Sequence, residues 1–274
     1  MAVSMADIQN LRKRTGAGMM DCKKALEEAV GDFDKAIEII RKKGQAFAAK
    51  RGDREALEGC VISATKGNFA SLVALKCETD FVAINAEFVG LAKDLLNAAL
   101  ENQVESVEDL NNTEIDGRKI VDLVTDRMGV TGEKMEIGTY EFISAPSVVA
   151  YVHPGNRLAT IVGFNKPNID ADIAKDVAMQ IAAMNPVGLT EAEVTEEIKE
   201  RERNLAKEKA REAGKPENLL DRIAEGALTK FYKEFTLLQQ DFVKNPKITI
   251  AQHIQQYDKE LEVVAFKRFT LNAD

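Results

Sequence analysis

The sequence predicts an α+β fold with a three-helix N-terminal unit, a duplicated core and an antiparallel helical hairpin. Glycine-punctuated helical periodicity fills the first fifty residues, two similar strand–turn–strand–helix patterns occupy the middle, and a densely charged pair of helical segments follows. With 274 residues and 45% hydrophobic side chains, the chain can bury more than one core. The predicted units are 1–56 for the three-helix domain and linker, 57–140 for the first core subdomain, and 141–274 for the second, with the hairpin at about 189–235 and a C-terminal module at about 246–274.

Glycines divide the N-terminal unit into its predicted helices. Apolar residues at helical spacing precede Gly16, which ends a first short helix, and Gly31 ends a second. Asp32 is placed to cap a third helix. The basic and charged stretch from Arg41 to Gly59 is interpreted as a partly helical linker.

The core contains two β-hairpin patterns, each followed by a helix. Cys60–Ala64 and Phe69–Lys76 are β-rich runs joined at Lys66-Gly67-Asn68, and "SVVAYVHPGNRLATIVGFN" repeats this arrangement. The following helices share a phrase, "LAKDL" at 91–95 and "IAKDV" at 173–177. We interpret the pair as an internal duplication, with chance similarity of common letters as the alternative.

The hairpin is predicted from its charge pattern. "EAEVTEEIKERERNLAKEKAREA" carries only a thin apolar stripe, Gly214–Pro216 interrupts it, and a second helical pattern continues to Phe235. A narrow stripe surrounded by charge is typical of a protrusion rather than of a core helix.

Composition argues against nucleic-acid binding. A net charge of -8 opposes general nucleic-acid binding, because neutralising phosphates requires a surplus of Lys and Arg. Tryptophan is absent and aromatic residues make up 6%, so stacking platforms for single strands are not expected. Direct nucleic-acid binding is therefore not predicted.

Cysteine usage and hydropathy predict a soluble, cytoplasmic protein without membrane contact. Cys22, Cys60 and Cys77 are too widely spaced for a zinc knuckle and too few for a disulfide framework. No apolar run is long enough to span a bilayer, and the N-terminus lacks the features of a signal or transit peptide.

The sequence offers little for covalent catalysis. The chain has two histidines, His153 in a Pro-Gly turn and His253 among glutamines, and neither has a Ser or Cys partner nearby in sequence. We predict no catalytic residues, no metal site, no cofactor and no enzymatic activity. A surface contact is the favoured role for His153, because recognition concentrates at loop tips.

The segment Gly16-Ala17-Gly18 before two methionines permits two interpretations. A glycine-rich turn can cradle phosphate, but this spacing matches neither nucleotide-binding glycine pattern and no strand precedes it. Flexible, polarizable methionines suit docking onto another protein. We expect one of Met19 and Met20 to pack in the helical core and the other to be exposed.

The segment "CETDFVAIN" is the second candidate contact. Thr79 is placed to cap the turn between strand and helix. Phe81 either fills the core or stands exposed beside Asp80 as an apolar plug next to a charge. An exposed aromatic residue at such a tip is a candidate binding hot spot.

The motifs "RTGAGMMDCKKAL", "TDFVA" and "YVHPG", with the charged hairpin, resemble the elongation factor Ts family in the right order over nearly the whole chain. This family exchanges guanine nucleotide on elongation factor Tu in translation elongation. The resemblance implies an N-terminal domain of the ubiquitin-associated (UBA-like) type, two related α+β subdomains and a coiled-coil hairpin.

The resemblance also assigns contact residues by position. The segment that would disturb the partner's Mg²⁺ site is Thr79, Asp80, Phe81 and Val82, with Phe81 as a wedge. The other implied partner-binding residues are Arg12, Met19, Met20, Lys23, His153, Val243 and Lys244; relatives can carry an apolar residue at the last of these positions.

The implied function is that of a guanine-nucleotide exchange factor. It would bind GDP-bound elongation factor Tu, disturb the Mg²⁺ and phosphate site, release GDP, hold the nucleotide-free partner and be displaced on GTP binding. One-to-one pairs and homodimer-containing or two-to-two assemblies both remain open. The alternatives are a helical-domain adaptor that binds peptides and a phosphate-binding enzyme.

Overall fold

Three helices open the chain and form a core of their own. In the computed structural model, which describes residues 3–272, these are α1 (Met5–Thr15), α2 (Met19–Glu28) and α3 (Phe33–Lys50). Gly16 ends α1 in the left-handed conformation with φ 69°, which glycine adopts at low cost. The Asp32 side chain caps α3 by accepting two backbone amides of its first turn. The predicted end of the first helix at Gly16 and the predicted cap of the third helix by Asp32 are confirmed.

The third helix is longer than the sequence indicated. It runs to Lys50 and contains Gly44, so only a short segment is left to link it to the first strand. Gly44 is buried inside the helix because Gly129 packs against it from the core. The glycine marks a close helix contact rather than a break.

Two three-stranded antiparallel sheets form the centre of the molecule. In each, a hairpin supplies two strands and a strand from much later in the chain pairs with the second of them. The predicted strand–turn–strand–helix order therefore occurs twice. The first sheet, in the order β1-β2-β5, consists of β1 (Glu58–Lys66), β2 (Phe69–Cys77) and β5 (Met135–Ser144); the second, in the order β10-β7-β6, consists of β6 (Ser147–Val152), β7 (Leu158–Phe164) and β10 (Val263–Thr270).

The sheets stack face to face between two helices. Val61, Leu72 and Ile161 belong to one apolar layer between the sheets. The outer face of the first sheet packs on α5 (Ala86–Asn102), and that of the second on α8 (Ala171–Met184). The central strands are therefore buried on both faces, which explains their nearly continuous apolar sequences.

The remaining elements join and extend these layers. β5 crosses the predicted boundary at residue 140, because its pairing with β2 continues to Ser144. Within residues 3–272, no helix combines the length and the apolarity needed to cross a membrane. The other elements are α4 (Asp80–Ala83), α6 (Val107–Asn112), β3 (Glu114–Ile115), β4 (Arg118–Lys119), α7 (Ile120–Thr131), α9 (Glu196–Glu212), α10 (Leu220–Phe235), β8 (Asp241–Phe242), β9 (Asn245–Thr249) and α11 (Ile250–Tyr257).

The helices α9 and α10 pack against each other in opposite directions. Arg203 pairs with Glu225 at 2.8 Å, and Lys207 pairs with Asp221 at 2.6 Å. From one ion pair to the next, the residue number in α9 increases while the number of its partner decreases, so the two helices are antiparallel. Gly214, at φ 70°, lies in the turn between them. The coiled-coil description of this pair stays a prediction.

Candidate functional site

Phe81 projects into solvent from a one-turn helix at the end of β2. The Thr79 hydroxyl caps this turn by accepting the Val82 amide at 3.5 Å. The Phe81 side chain is 79% exposed, whereas Val82 packs partly against the first core and Ala83 is buried. Of the two interpretations of Phe81, the structure has the exposed one, with the exposed Asp80 preceding it. An exposed aromatic ring at the tip of a turn is a candidate binding residue.

Glu133 holds the base of this tip in place. Its carboxylate accepts the backbone amides of Glu78 and Thr79 at 3.1 and 3.0 Å, and the Thr79 hydroxyl at 2.6 Å. Three hydrogen bonds to one ionised acceptor fix both the backbone and the capping side chain. Phe81 therefore stands on a turn whose base is fixed by these three bonds.

Glu78 connects the tip to the segment after the N-terminal helices. Its carboxylate accepts hydrogen bonds from Arg51 at 3.1 Å, from Arg54 at 2.8 Å and from the Lys134 amide at 2.7 Å. Burial alone would raise the pKa of Glu78, but these donors outweigh it and lower the pKa to about 2. Glu78 is therefore ionised at neutral pH and ties the linker to the tip.

The N-terminal unit presents a second candidate surface beside the tip. Met20 is 64% exposed, whereas Met19 packs partly against the three-helix core, as expected of neighbouring helix positions. Arg12 and Lys23 are also exposed. Arg12 and Met19 line a cleft of about 960 Å³ whose other wall is the start of α5, immediately after the tip; its core-side residues are Asn85, Ala86 and Glu87.

His153 lies on the second core unit, in the turn between β6 and β7. Its ring is exposed, and Nδ1 lies 3.0 Å from the Tyr151 hydroxyl. The turn is held against the first sheet, because the Val61 amide donates to the Asn156 carbonyl at 2.7 Å and Arg157 pairs with Glu58. The predicted contact residue is thus exposed on an anchored turn, although it is not part of the Arg12–Met19 cleft.

Val243 and Lys244 lie in the turn between β8 and β9. Val243 is 46% exposed, and its amide donates to the Gln180 side chain at 2.9 Å. The Lys244 ammonium pairs with Asp176 of α8 at 2.6 Å. This ion pair directs the Lys244 side chain onto its own subunit and leaves Val243 as the apolar residue available at this turn.

The cysteines and the Gly16-Ala17-Gly18 segment are the positions that bear on a nucleophile and on phosphate binding. All three cysteines are free and buried, and burial raises the pKa of Cys60 to about 11. The Gly16 amide donates to the Arg12 carbonyl and the Ala17 amide to the Thr15 hydroxyl, so these two donors of the glycine segment are already engaged. Within residues 3–272, no group of three or more His, Cys, Asp or Glu is arranged to hold a metal ion.

Sequence reasoning missed the residues that support the tip. Glu133 lies 54 residues from Thr79 along the chain, and Arg51 lies 27 residues from Glu78. Such distant pairs leave no periodic signal in the sequence. The only local sign was that Glu78 and Thr79 directly precede the Asp80-Phe81 pair.

Comparison with known proteins places the chain in a family. The elongation factor Ts family model matches residues 78–273, well over half of the chain. The chain is 61% identical over 275 residues to elongation factor Ts of Porphyromonas gingivalis, and 55% identical over 274 residues to that of Azobacteroides pseudotrichonymphae. It is 44% identical over 331 residues to elongation factor Ts of Bacteroides thetaiotaomicron, and all of each chain is covered in all three comparisons. The chain, with its exposed tip and helical N-terminal unit, therefore belongs to the elongation factor Ts family of translation elongation factors.

Proposed function

We propose that this protein is a guanine-nucleotide exchange factor that binds GDP-bound elongation factor Tu and accelerates GDP release. Family membership supports a nucleotide-exchange role in translation elongation. The observation that carries the proposal is Phe81, an aromatic ring 79% exposed on a tip fixed by Glu133. A rigid, apolar projection beside a carboxylate suits insertion into a preformed pocket of another protein.

The tip acts on the partner's metal and phosphate site. Phe81 wedges between partner side chains, while the carboxylate of Asp80 competes for the groups that order the water shell of Mg²⁺. GDP is retained by phosphate-cradling amides and by the charge of the ion, so weakening either loosens the nucleotide. Thr79 and Val82 fix the direction in which the wedge points, through the cap and the core.

Several further surfaces share the contact with the partner. Arg12, Met19, Met20 and Lys23 of the UBA-like unit grip the nucleotide-binding domain on its phosphate side. His153 contacts a second domain of the partner. At the turn between β8 and β9, Val243 makes the apolar contact, and Lys244 lies at its edge with its ammonium paired to Asp176.

The exchange follows from thermodynamic linkage. A protein that binds the nucleotide-free partner better than the GDP-bound form weakens GDP binding by the same coupling free energy. GTP then binds the vacated site and displaces the factor. No bond of a substrate is made or broken, so the protein acts as a non-enzymatic factor. It has no cofactor of its own, and it acts in the cytoplasm.

The direct test is release of a fluorescent GDP from elongation factor Tu, followed by stopped flow with and without this protein. Acceleration that rises with concentration and then saturates supports the proposal, and an unchanged rate contradicts it. Calorimetric titration of the protein alone with GDP is expected to give no heat of binding. A micromolar response would instead favour a nucleotide-binding enzyme.

A peptide-binding adaptor is the second candidate, because Met20 and Arg12 are exposed on a self-contained helical unit. Removal of residues 1–50 distinguishes the two. An adaptor loses all partner binding, whereas an exchange factor keeps weaker binding to elongation factor Tu through the tip and the second core unit.

A further inference from the structure

The N-terminal unit meets the core where two glycines of α3 and α7 face each other. A Cβ atom added to Gly129 would lie 2.7 Å from the Cα of Gly44, which is closer than real Cβ contacts come. A Cβ on Gly44 would meet the Thr125 carbonyl at 3.4 Å. Glycine is unfavourable inside helices, so two glycines at one crossing indicate that close approach of the backbones is required.

Ion pairs surround this crossing and extend it to α5. Asp126 of α7 pairs with Arg41 of α3 at 3.8 Å and with Arg118. Arg127, whose side chain is only 13% exposed, pairs with Glu87 at the start of α5. The helix α7 is therefore attached both to the N-terminal unit and to the helix that follows the Phe81 tip.

A second set of bonds joins the linker to the base of the tip. The Lys134 ammonium donates to the carbonyls of Gly52 at 3.0 Å and Arg54 at 2.8 Å. Arg51 and Arg54 in turn bind Glu78, directly before the capping Thr79. The N-terminal surface and the tip are thus connected along two routes through the core.

We propose that the Gly44–Gly129 crossing is a positioning device that holds the three-helix unit at a fixed distance from the Phe81 tip, so that both engage the partner at once. This inference rests on the proposed exchange function. Once one surface has bound, a rigidly held second surface binds as an intramolecular contact at high effective concentration. If α3 and α7 were held farther apart, the surface of the three-helix unit and the Phe81 tip would both stay intact. One would, however, be misplaced relative to the other when they meet the partner.

The test compares Gly129→Ala with Gly90→Ala. Both variants replace a helical glycine of the first core unit by alanine, but a Cβ at Gly90 would meet no atom within 4 Å apart from its chain neighbours and the backbone of its own helix. For Gly129→Ala we expect the concentration giving half-maximal GDP release from elongation factor Tu to rise about tenfold, with the maximal rate changed by less than about twofold. Gly90→Ala should behave as the wild type.

A distance measurement separates misplacement from general loss of stability. Spin labels at Lys24→Cys on α2 and Asn97→Cys on α5 report the separation of the unit from the core, because both positions are exposed and the native cysteines are buried. We expect one narrow distance in the wild type and in Gly90→Ala, and a longer or broader distribution in Gly129→Ala.

Each outcome decides the proposal. If the wild type accelerates release but Gly129→Ala shows the wild-type distance and half-maximal concentration, the positioning role is wrong while the exchange function stands. If the wild type does not accelerate release, the exchange function itself fails. Should Gly129→Ala not fold, the milder Gly44→Ala replaces it, because a Cβ there would meet its nearest α7 atom, the Thr125 carbonyl oxygen, at 3.4 Å rather than at 2.7 Å. The same two measurements on that variant then support or overturn the proposal.

Discussion

The two core units share one architecture but differ at the end of their second strands. In the first unit, β2 leads into a capped turn that holds Phe81 79% exposed. In the second, β7 ends at the fully buried Phe164, and Asn165 folds back onto the C-terminal segment by bonding the Glu260 carbonyl and the Glu262 amide, each at 2.9 Å. The same position in the fold carries an exposed, projecting aromatic ring in one unit and an internal tether in the other.

The turns within the two β-hairpins also differ, but here the second unit has the longer, more exposed segment. The turn between β1 and β2 is short, with Gly67 at φ 60°. The turn between β6 and β7 is longer and exposes His153. Buried strand positions preserve the common fold, while strand ends and turns, which the core does not constrain, carry the features specific to each unit.

Removing Glu133, which clamps the base of the Phe81 tip through three hydrogen bonds, should have the largest effect on stability. Glu133→Ala leaves two backbone amides and the Thr79 hydroxyl without their acceptor, so we expect the free energy of unfolding to fall by about 3 kcal/mol. The loosened tip should also slow GDP release. Urea unfolding and stopped-flow release measure the two effects.

The matched variant is Asn165→Ala, which cuts the tether of the second unit. It should lower stability by about 1–2 kcal/mol but leave exchange unchanged, because that strand end does not project toward a partner. Equal slowing of GDP release by both variants would remove the functional difference between the units.

Equivalent buried hydroxyls of the two units should differ by a smaller amount. Thr160 and Ser71 occupy matching positions in the repeated strands, and both are fully buried. The Thr160 hydroxyl donates to the Ala178 carbonyl of α8 at 3.1 Å, whereas the Ser71 hydroxyl makes no hydrogen bond of that quality among the described residues: its polar neighbour is the Tyr140 hydroxyl, which donates to the Val104 carbonyl instead. Thermal unfolding should show a loss of about 1–1.5 kcal/mol for Thr160→Val and less than about 0.5 kcal/mol for Ser71→Ala. A reversed order would contradict the bonding described for the two strands.

The smallest expected difference between the two units is in how the free energy of unfolding depends on pH. Burial alone would raise the pKa of Glu78, but hydrogen bonds donated by the Lys134 amide and by the Arg54 and Arg51 side chains outweigh it and lower the pKa to about 2. A carboxyl with a depressed folded-state pKa stabilises the protein above its unfolded pKa, and this contribution is lost as pH falls from about 4.5 toward 2. The stability difference between wild type and Glu78→Gln should therefore shrink between pH 6 and pH 3.

In the second unit, Asp258→Asn is the control for this pH dependence. The hydrogen bond from Lys166 lowers the pKa of Asp258, but this pair is more exposed and is screened by solvent and salt. We expect a smaller pH dependence for this variant in the same urea titrations. An equal or larger one would contradict the special role of Glu78.

The sequence predicted those features that depend on neighbouring residues. Gly16 and Asp32 marked helix ends, and the Met19–Met20 pair was divided correctly between core and surface, because consecutive helix positions point in different directions. The two hairpins were also found, since turn residues separate their apolar strands.

Features that depend on distant contacts could not be predicted. The sequence alone places Gly44 in a linker, because Gly129, the residue that packs against it and requires a glycine there, lies 85 positions away. Exposure of Phe81 stayed undecided because it depends on the Glu133 clamp. The prediction that the tip contacts a partner comes from the family resemblance and not from periodicity.

Exchange by Phe81→Ala tests the central claim most directly. The ring is exposed, so its removal should leave unfolding unchanged while slowing the maximal release of fluorescent GDP from elongation factor Tu about thirtyfold, corresponding to ~2 kcal/mol. Leu205→Ala, which removes an exposed apolar side chain from α9, should exchange at the wild-type rate. A Phe81→Ala protein that is folded and releases GDP as fast as the wild type would contradict the account.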